Sequence, residues 1–172
     1  MDLPMVFSVA LSGCMAWVVL SDASYYIISN RLNLVLLVIY VAAVFYLPVV
    51  APLPALAAAG LVLVAGLGLF TLGFMGGGDI KLLVVLSLWT GWSVSTLQFI
   101  FLTAIFGGVL VAIVLLLRVL VPPLWLKLCP TRNLPRLLTR GQPVPYGIAI
   151  AAAFAWVLWT GGILGLQHFA LA

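Results

Sequence analysis

Charged residues are scarce in this sequence. Of its 172 residues, seven are basic and three are acidic, and charged residues make up 6% of the chain, against about 25% in soluble domains. Hydrophobic residues make up 66%, and the mean hydropathy is +1.38. This composition excludes an ordinary soluble domain and predicts an integral membrane protein.

Cysteine and histidine are also rare, which excludes several kinds of site. The two cysteines, Cys14 and Cys129, are far apart in the sequence and cannot form a zinc site on their own. The stretch LSGC ending at Cys14 fits a lipoprotein signal, but the apolar run continues beyond it and no basic residue precedes it. We expect a retained first helix, no metal and no cofactor.

Apolar runs dominate what is present. They cover residues 3–21, 33–51, 55–74, 79–93, 95–117 and 144–166. Runs such as LNLVLLVIYVAAVF lack the alternation of a β-barrel strand. The sequence therefore predicts an all-α, polytopic membrane protein with about six transmembrane helices in a single domain, 1–172. Prolines interrupt residues 118–143, which also hold five basic residues, so we expect one long basic loop there.

The basic residues indicate the orientation of the chain. All seven fall on one side of the predicted spans: Arg31, Lys81, Arg118, Lys127, Arg132, Arg136 and Arg140. Because cytoplasmic loops are enriched in lysine and arginine, this side should face the cytoplasm and both termini should lie outside. That places His168 at the outer end. Anionic lipids account for the net charge of +4, so no nucleic-acid partner is expected.

The acidic residues are the candidates for function. Asp2 lies at the outer N-terminus, where we expect it to be solvated. Asp22 ends the first apolar segment and Asp79 begins the fourth, so both should lie at the cytoplasmic edge of the membrane. An ionisable side chain in a spanning segment is costly and indicates a function.

Two neighbouring carboxyl groups suit acid–base catalysis. Like-charge repulsion prevents both from ionising, so they share one proton. One can then activate water while the other protonates a peptide carbonyl, which is the chemistry of an aspartic protease. A small proton-coupled transporter subunit is an alternative use of Asp22 and Asp79. Such a transporter would be expected to place its polar groups near the midplane, whereas both aspartates are expected at one edge.

The stretch MGGGDIKLL surrounds Asp79 with unusual backbone freedom. We expect Gly76, Gly77 and Gly78 to form an irregular segment that lets a substrate chain approach the carboxylate. A simpler interpretation is that Asp79 only caps the following helix.

Three motifs resemble those of the membrane aspartic prepilin peptidases. GGGDIK resembles their GxGD motif followed by lysine, and Asp22 with its downstream segment resembles D-x5-I-P-N, with Ser29 in place of proline. PYG resembles the start of the family's last helix. The matching residues are Asp22, Ile28, Asn30, Gly76, Gly78, Asp79, Lys81, Pro145, Tyr146 and Gly147.

The resemblance implies an aspartic peptidase fold and a substrate. Prepilin and pseudopilin precursors would be cut at the cytoplasmic face of a bacterial inner membrane. The chain is similar to the short, peptidase-only form of tight-adherence (Tad) pilus systems, which lacks the methyltransferase region. Asp22 and Asp79 would be catalytic. The residues that would bind substrate or shape loops are Gly76, Gly77, Gly78, Lys81, Asn30, Pro145, Tyr146 and Gly147. A presenilin-like protease is an alternative, but that group has tyrosine before the first aspartate, where this chain has Ser21.

Three side chains near these features have structural interpretations as well. Trp89 and Trp92 are predicted to lie in an aromatic belt at the outer face. Tyr26 could donate a hydrogen bond to Asp22 across one helical turn, or lie at the interface. Lys81 is expected to act as a membrane-surface anchor or to hold a loop.

Overall fold

The computed structural model describes residues 2–47, 51–128, 135–139, 141–160 and 163–164. Within these residues the regular structure is helical and contains no strand, which confirms the predicted all-α class. The 3₁₀ turn Arg136–Leu138 lies between the last two α-helices. The helices are α1 (Leu3–Tyr25), α2 (Asn30–Tyr46), α3 (Pro52–Thr71), α4 (Gly77–Thr90), α5 (Val94–Leu128) and α6 (Tyr146–Thr160).

The helices have the lengths and surfaces of a multi-pass membrane protein. In the described ranges, three stretches are long and apolar enough to cross a membrane: Leu3–Tyr25, Pro52–Thr71 and Val94–Pro123. Helices α2 and α6 are shorter apolar helices. Large apolar side chains point outward from the bundle, with Phe45 79% exposed and Val64 70% exposed. Such a surface suits lipid and not water.

Helices α4 and α6 hold the bundle together. Helix α4 packs against α2, α3, α5 and α6, and α6 packs against α1, α4 and α5. In a membrane, burial from water gives little driving force for helix association, so small residues that let helices approach closely are important. A Cβ atom added at Gly66 of α3 would lie 2.8 Å from Ile80 Cγ2, and one at Gly107 of α5 would lie 2.8 Å from Tyr146 Cε1.

Local sequence sets the ends of α1 and α2. Helix α1 ends at Tyr25, four residues beyond the predicted end, because Tyr26 adopts a left-handed conformation (φ 56°, ψ 31°). Helix α2 begins at Asn30, three residues earlier than predicted, because the Ser29 side chain accepts a hydrogen bond from the Leu32 N–H at 3.2 Å. Ser29, which replaces the proline of the resembling motif, is thus an N-cap.

The predicted loop at 118–143 begins later than expected. Helix α5 continues to Leu128 with Pro122 and Pro123 inside it. The prolines were a misleading signal, because the φ angle of proline is compatible with a helix and its cost is a lost backbone hydrogen bond. Four residues used in the sequence predictions lie outside the described residues: Cys129, Arg132, Arg140 and His168.

Trp89 does not belong to an aromatic belt. Its side chain is only 5% exposed, and its ring packs edge-on against Tyr40 at 5.5 Å between centroids and near Phe7 at 6.3 Å. The prediction was wrong because α4 is enclosed by four helices, so its end faces the core and not lipid. Trp92, 64% exposed, has the exposure that a belt residue needs.

Candidate active site

Asp22 is held against the first turn of α6. The aspartate lies near the end of α1 and is 4% exposed. The backbone N–H groups of Gly147 and Ile148 face its carboxylate. A Cβ atom at Gly147 would lie 2.8 Å from Asp22 Oδ2, so only glycine leaves room for this approach. A helix N-terminus stabilises a nearby negative charge.

One oxygen of this carboxylate is available for chemistry. Asp22 Oδ2 is buried and has no hydrogen-bond partner within the described part of the chain. A buried polar atom without a partner is costly, and a catalytic role or a bound water or ion can account for it. Because the Asp22 carboxylate also lines a cavity, a catalytic role is open to it.

Asp79 lies in the first turn of α4. Its Oδ2 accepts a hydrogen bond from the Gly76 N–H at 3.2 Å, as in the acidic half of a capping box. The simpler interpretation placed Asp79 at the N-cap, but the N-cap is Gly76 and Asp79 is the third helical residue. The carboxylate thus supports the helix start and still borders the space outside it.

The glycine run is mostly helical and not an irregular loop. Gly77 and Gly78 belong to α4, and Gly76 has an extended backbone (φ −73°). The positive φ in this region belongs to Gly73, at 74°. The role of Gly78 is close approach instead, because a Cβ atom there would lie 3.4 Å from Ile28 Cβ and 3.6 Å from Ile28 O. At Gly77, the nearest atom would be Phe70 Cε2 at 3.7 Å.

The two carboxylates share one cavity. Asp22 and Asp79 interact electrostatically and both line a space of about 610 Å³. Helices α2 and α6 each pack against both α1 and α4, so they bring the two aspartates together. The rest of the lining comes from Tyr26, Ile27, Ile28, Gly73, Phe74, Met75, Gly76, Gly78, Gln142, Pro143, Val144 and Tyr146.

Lys81 joins α4 to α2 beside this cavity. Its Nζ donates a hydrogen bond to Asn30 Oδ1 at 3.1 Å. Both side chains are exposed, and neither lines the cavity. The contact joins residues near the starts of two helices, and the role of Lys81 as a loop-holding residue stays a prediction.

The eight predicted site residues other than the two aspartates fall into three groups by their position relative to the cavity. Gly76, Gly78 and Tyr146 line the cavity with the two aspartates. Gly147 contacts Asp22 directly. The remaining four are near the cavity without lining it: Gly77, Asn30, Lys81 and Pro145.

Tyr26 contacts Asp22 in a different way from the one predicted. Its backbone N–H donates to the Asp22 carbonyl oxygen at 3.0 Å, and its left-handed conformation ends the helix. The spacing of four residues therefore does not place the two side chains on one helical face. Tyr26 instead contributes to the cavity lining.

Sequence reasoning missed the residues that come from the segment before α6. Gln142, Pro143 and Val144 line the cavity, but they fall in the stretch predicted to be a basic loop. The available signal was their position directly before PYG, since residues preceding a functional helix start are placed beside it. Arg118 was counted only as a basic rim residue, although it is 8% exposed.

Comparison with known proteins decides the family. The sequence model of the type IV leader peptidase family matches residues 9–113, more than half of the chain. The chain belongs to the type IV leader peptidase family. No curated protein and no solved structure gave a match.

Membership of the type IV leader peptidase family makes this chain a peptidase of the leader-peptidase type. The matched range includes both aspartates and the glycine run, while α6 with its PYG start lies beyond it. A second cavity of about 760 Å³ lies at the opposite end, near Ser93, Gln98 and Trp156. Its lining contains no ionisable acid or base, so the smaller cavity is the candidate active site.

Proposed function

We propose that this protein is a membrane aspartic endopeptidase that removes the leader peptide of type IV (Flp-like) prepilins and pseudopilins. The observation that carries the proposal is the shared cavity. Two aspartates from different helices face one space and interact electrostatically, in a chain of the type IV leader peptidase family.

The carboxyl pair can supply both acid and base. Two close carboxyl groups share one proton and titrate as a unit. The ionised group takes a proton from water as the water oxygen attacks the scissile carbonyl carbon, and the protonated group donates to the carbonyl oxygen. Collapse of the resulting tetrahedral diol breaks the C–N bond, and the departing nitrogen receives a proton from the pair. Asp22 and Asp79 are the catalytic residues in this mechanism.

The cavity suits an extended peptide with apolar side chains. Its volume of about 610 Å³ is in the range of sites that bind small ligands or short peptide segments. Ile27, Phe74 and Met75 make part of the lining apolar. This lining would receive the start of the hydrophobic helix that follows a prepilin leader, while Gly76 and Gly78 leave space beside Asp79.

The proposed orientation rests on the charges of the protein. Asp22 is near the end of α1 and Asp79 near the start of α4. Arg31 and Lys81 lie near the starts of α2 and α4, at the same end of the bundle. The positive-inside rule then supports a site that faces the cytoplasm of a bacterial inner membrane, with both termini outside. The basic rim would contact anionic lipids. The short, peptidase-only form of Tad pilus systems is the proposed subtype.

Loss of either aspartate should abolish processing. The chain would be co-expressed with prepilin precursors from the same genome, and the shortened product measured by mass spectrometry and normalised to enzyme in the membrane. Asp22→Asn and Asp79→Asn should each reduce cleavage at least about 100-fold, because either change removes one of the two carboxyl groups that act as acid and base. Asp2→Asn, at the exposed residue before α1, is the matched control and should cleave like the parent.

Near-normal cleavage by either site variant would contradict the carboxyl mechanism. If the parent itself cuts no precursor, the presenilin-like protease and the proton-coupled transporter become the functions to test. Cleavage of a helical transmembrane substrate would indicate the first, and aspartate-dependent proton flux in vesicles the second.

A further inference from the structure

Arg118 lies in an unexpected environment for a basic residue of a membrane helix. It is about 24 residues after Val94, where α5 begins, so it is roughly 36 Å along a helix that rises 1.5 Å per residue. A helix that enters the hydrocarbon core at Val94 and runs along the membrane normal would leave a core of about 30 Å before that point. An arginine there would be expected to extend into the headgroups, yet its side chain is turned inward and is 8% exposed.

The Arg118 guanidinium group contacts the chain before α6. Its Nε donates to Leu137 O at 2.8 Å, and its Nη2 donates to Gln142 O at 2.8 Å. A longer contact of 3.5 Å joins Nη2 to Pro143 O. We name residues 141–145 the wall segment. Arg118 therefore ties both the 3₁₀ turn and the wall segment to α5.

The wall segment forms one side of the carboxylate cavity. Gln142, Pro143 and Val144 line that cavity together with Asp22 and Asp79. Their backbone between Gly141 and Pro145 has no helix or strand of its own, so its position depends on contacts with other elements. Arg118 provides two of these contacts through short hydrogen bonds to carbonyl oxygens.

Arginine has the geometry that this position requires. A guanidinium group carries five N–H donors in a rigid plane and can reach acceptors in different directions at once. A lysine ammonium is a single compact centre and cannot replace both Nε and Nη2 contacts together. Burying a cation is costly unless its donors are satisfied, and here the Leu137 and Gln142 carbonyl oxygens accept from Nε and Nη2.

We propose that Arg118 is a positioning residue, and that the wall segment it holds is a substrate-binding surface of the peptidase. The proposal rests on the proposed function. Arg118 does not line the cavity, so it acts through the Gln142 and Pro143 carbonyl oxygens. Helix α6 packs along α1 independently of Arg118, which keeps Asp22 in place when the wall segment is released. Loss of Arg118 should therefore weaken precursor binding more than the chemical step.

The test compares Arg118→Gln, Arg118→Lys and Arg31→Gln in the full-length protein in lipid nanodiscs. Initial rates are measured against the concentration of a purified prepilin precursor. We expect Arg118→Gln to raise KM at least about tenfold with a smaller fall in kcat. Arg118→Lys should be intermediate because its ammonium can donate to one carbonyl oxygen. Arg31, an exposed basic residue of α2, should be replaceable without change in either constant.

Three kinetic outcomes would overturn the proposal. The first is Arg118→Gln with the parent's KM and kcat. The second is a fall in kcat without a rise in KM, because that pattern would place the effect on the carboxylates and not on binding. If Arg118→Gln does not accumulate in the membrane, Arg118→Lys decides, and a lysine variant with the parent's KM is the third overturning result.

Hydrogen exchange separates this proposal from the proposed function. In Arg118→Gln, amides of residues 137–139 and 141–144 should exchange faster than in the parent, while those of α1, α4 and α6 keep their rates. Unchanged exchange in these two stretches would overturn the positioning role even if no precursor is cleaved. A parent enzyme that cleaves nothing, together with the expected exchange difference, would instead refute the proposed substrate and leave the contact between Arg118 and the wall segment established.

Discussion

The two ends of the helix bundle are packed in different ways. The carboxylate end, defined by Asp22, Ile28, Asp79 and the wall segment, brings backbones together at Gly78 and places the Asp22 side chain against Gly147. The tryptophan end, defined by Phe7, Tyr40, Trp89 and Thr90, is packed with large rings.

Buried polar groups also differ between the two ends. At the tryptophan end, the Thr90 hydroxyl donates to Ser87 O at 3.2 Å, while Tyr40 OH and Trp89 Nε1 are buried without a partner in the described chain. At the carboxylate end, Asp22 Oδ2 is a buried atom without such a partner, and it belongs to an ionisable side chain that lines the cavity. The difference lies in the chemistry of these atoms, since a carboxyl group can take part in acid–base reactions near neutral pH.

The largest effect should come from one added methyl group at the carboxylate end. Gly147→Ala places a Cβ atom 2.8 Å from Asp22 Oδ2 and 3.0 Å from Ile28 Cδ1. Both neighbours are ends of side chains and can move, so the protein should still fold while the carboxylate is displaced. A misplacement of about 1 Å can cost about 100-fold in rate, and we expect a loss of that order in precursor cleavage per folded enzyme.

Gly13→Ala provides the matched control for this substitution. Gly13 is also a helical glycine, and a Cβ atom there would meet nothing within 4 Å. Its variant should cleave precursor at the parent's rate. Parent-like cleavage by Gly147→Ala would mean that the approach of α6 to Asp22 is not needed for activity.

An intermediate loss of activity is expected from a substitution at the start of α4, where Gly78 lies against Ile28 in the segment before α2. In Gly78→Val, the new Cβ atom would already lie 3.4 Å from Ile28 Cβ and 3.6 Å from Ile28 O, and the two methyl groups beyond it would press on Ile28. Overpacking of this kind typically costs about 1–3 kcal/mol. Activity should fall about tenfold or more, as measured by precursor conversion normalised to enzyme in the membrane.

A valine substitution at the neighbouring Gly77 tests whether the loss of activity depends on the contact with Ile28 or only on the added side-chain volume. Gly77→Val makes the same substitution one residue earlier, where the nearest atom is Phe70 Cε2 at 3.7 Å. We expect at most about a threefold loss there, since the contact is of ordinary van der Waals length. Equal losses for the two valine variants would indicate a general effect on the start of α4 and not the contact with Ile28.

The smallest effect on activity should come from the tryptophan end. Trp89→Phe keeps an aromatic ring and removes a buried Nε1 that has no partner in the described chain. Stability should change by about 1 kcal/mol or less, because lost packing is partly offset by removal of the unpaired donor. Thermal unfolding in detergent measures this change in stability. Cleavage per folded enzyme should remain within about twofold of the parent. A tenfold loss of cleavage would show that the two ends are coupled.

The sequence predicted the helical class well because hydropathy is a long-range signal. Each apolar run extends over many residues, so small errors do not remove a helix. The end of α1 and the start of α2 shift by a few residues through local caps such as Ser29, whereas α5 continues 11 residues beyond its predicted end at 117. The proline pair at Pro122 and Pro123 was overruled by the continuation of α5. A local preference of this kind is decided by neighbouring packing, which a sequence pattern does not contain.

The candidate site was predictable where its residues form short motifs. Asp22 and Asp79 stood out because acidic residues are so few, and the structure places them in one cavity. The inward turn of Arg118 and the burial of Trp89 could not be inferred from composition. Both depend on which helices pack against each other. Without that information, an arginine or a tryptophan near the end of a membrane helix is assigned to the membrane surface.

The contact between α1 and α6 has a consequence for the newly made protein. Asp79 and the rest of α4 are translated before α6, and about 67 residues separate Asp79 from Tyr146. At 5–20 residues per second, roughly 3–13 seconds pass before the turn that faces Asp22 is complete. During that interval the nascent chain has both aspartates but lacks the wall segment, which lines the cavity, and Gly147, which contacts Asp22. The cavity should therefore be complete only after α6 has been inserted.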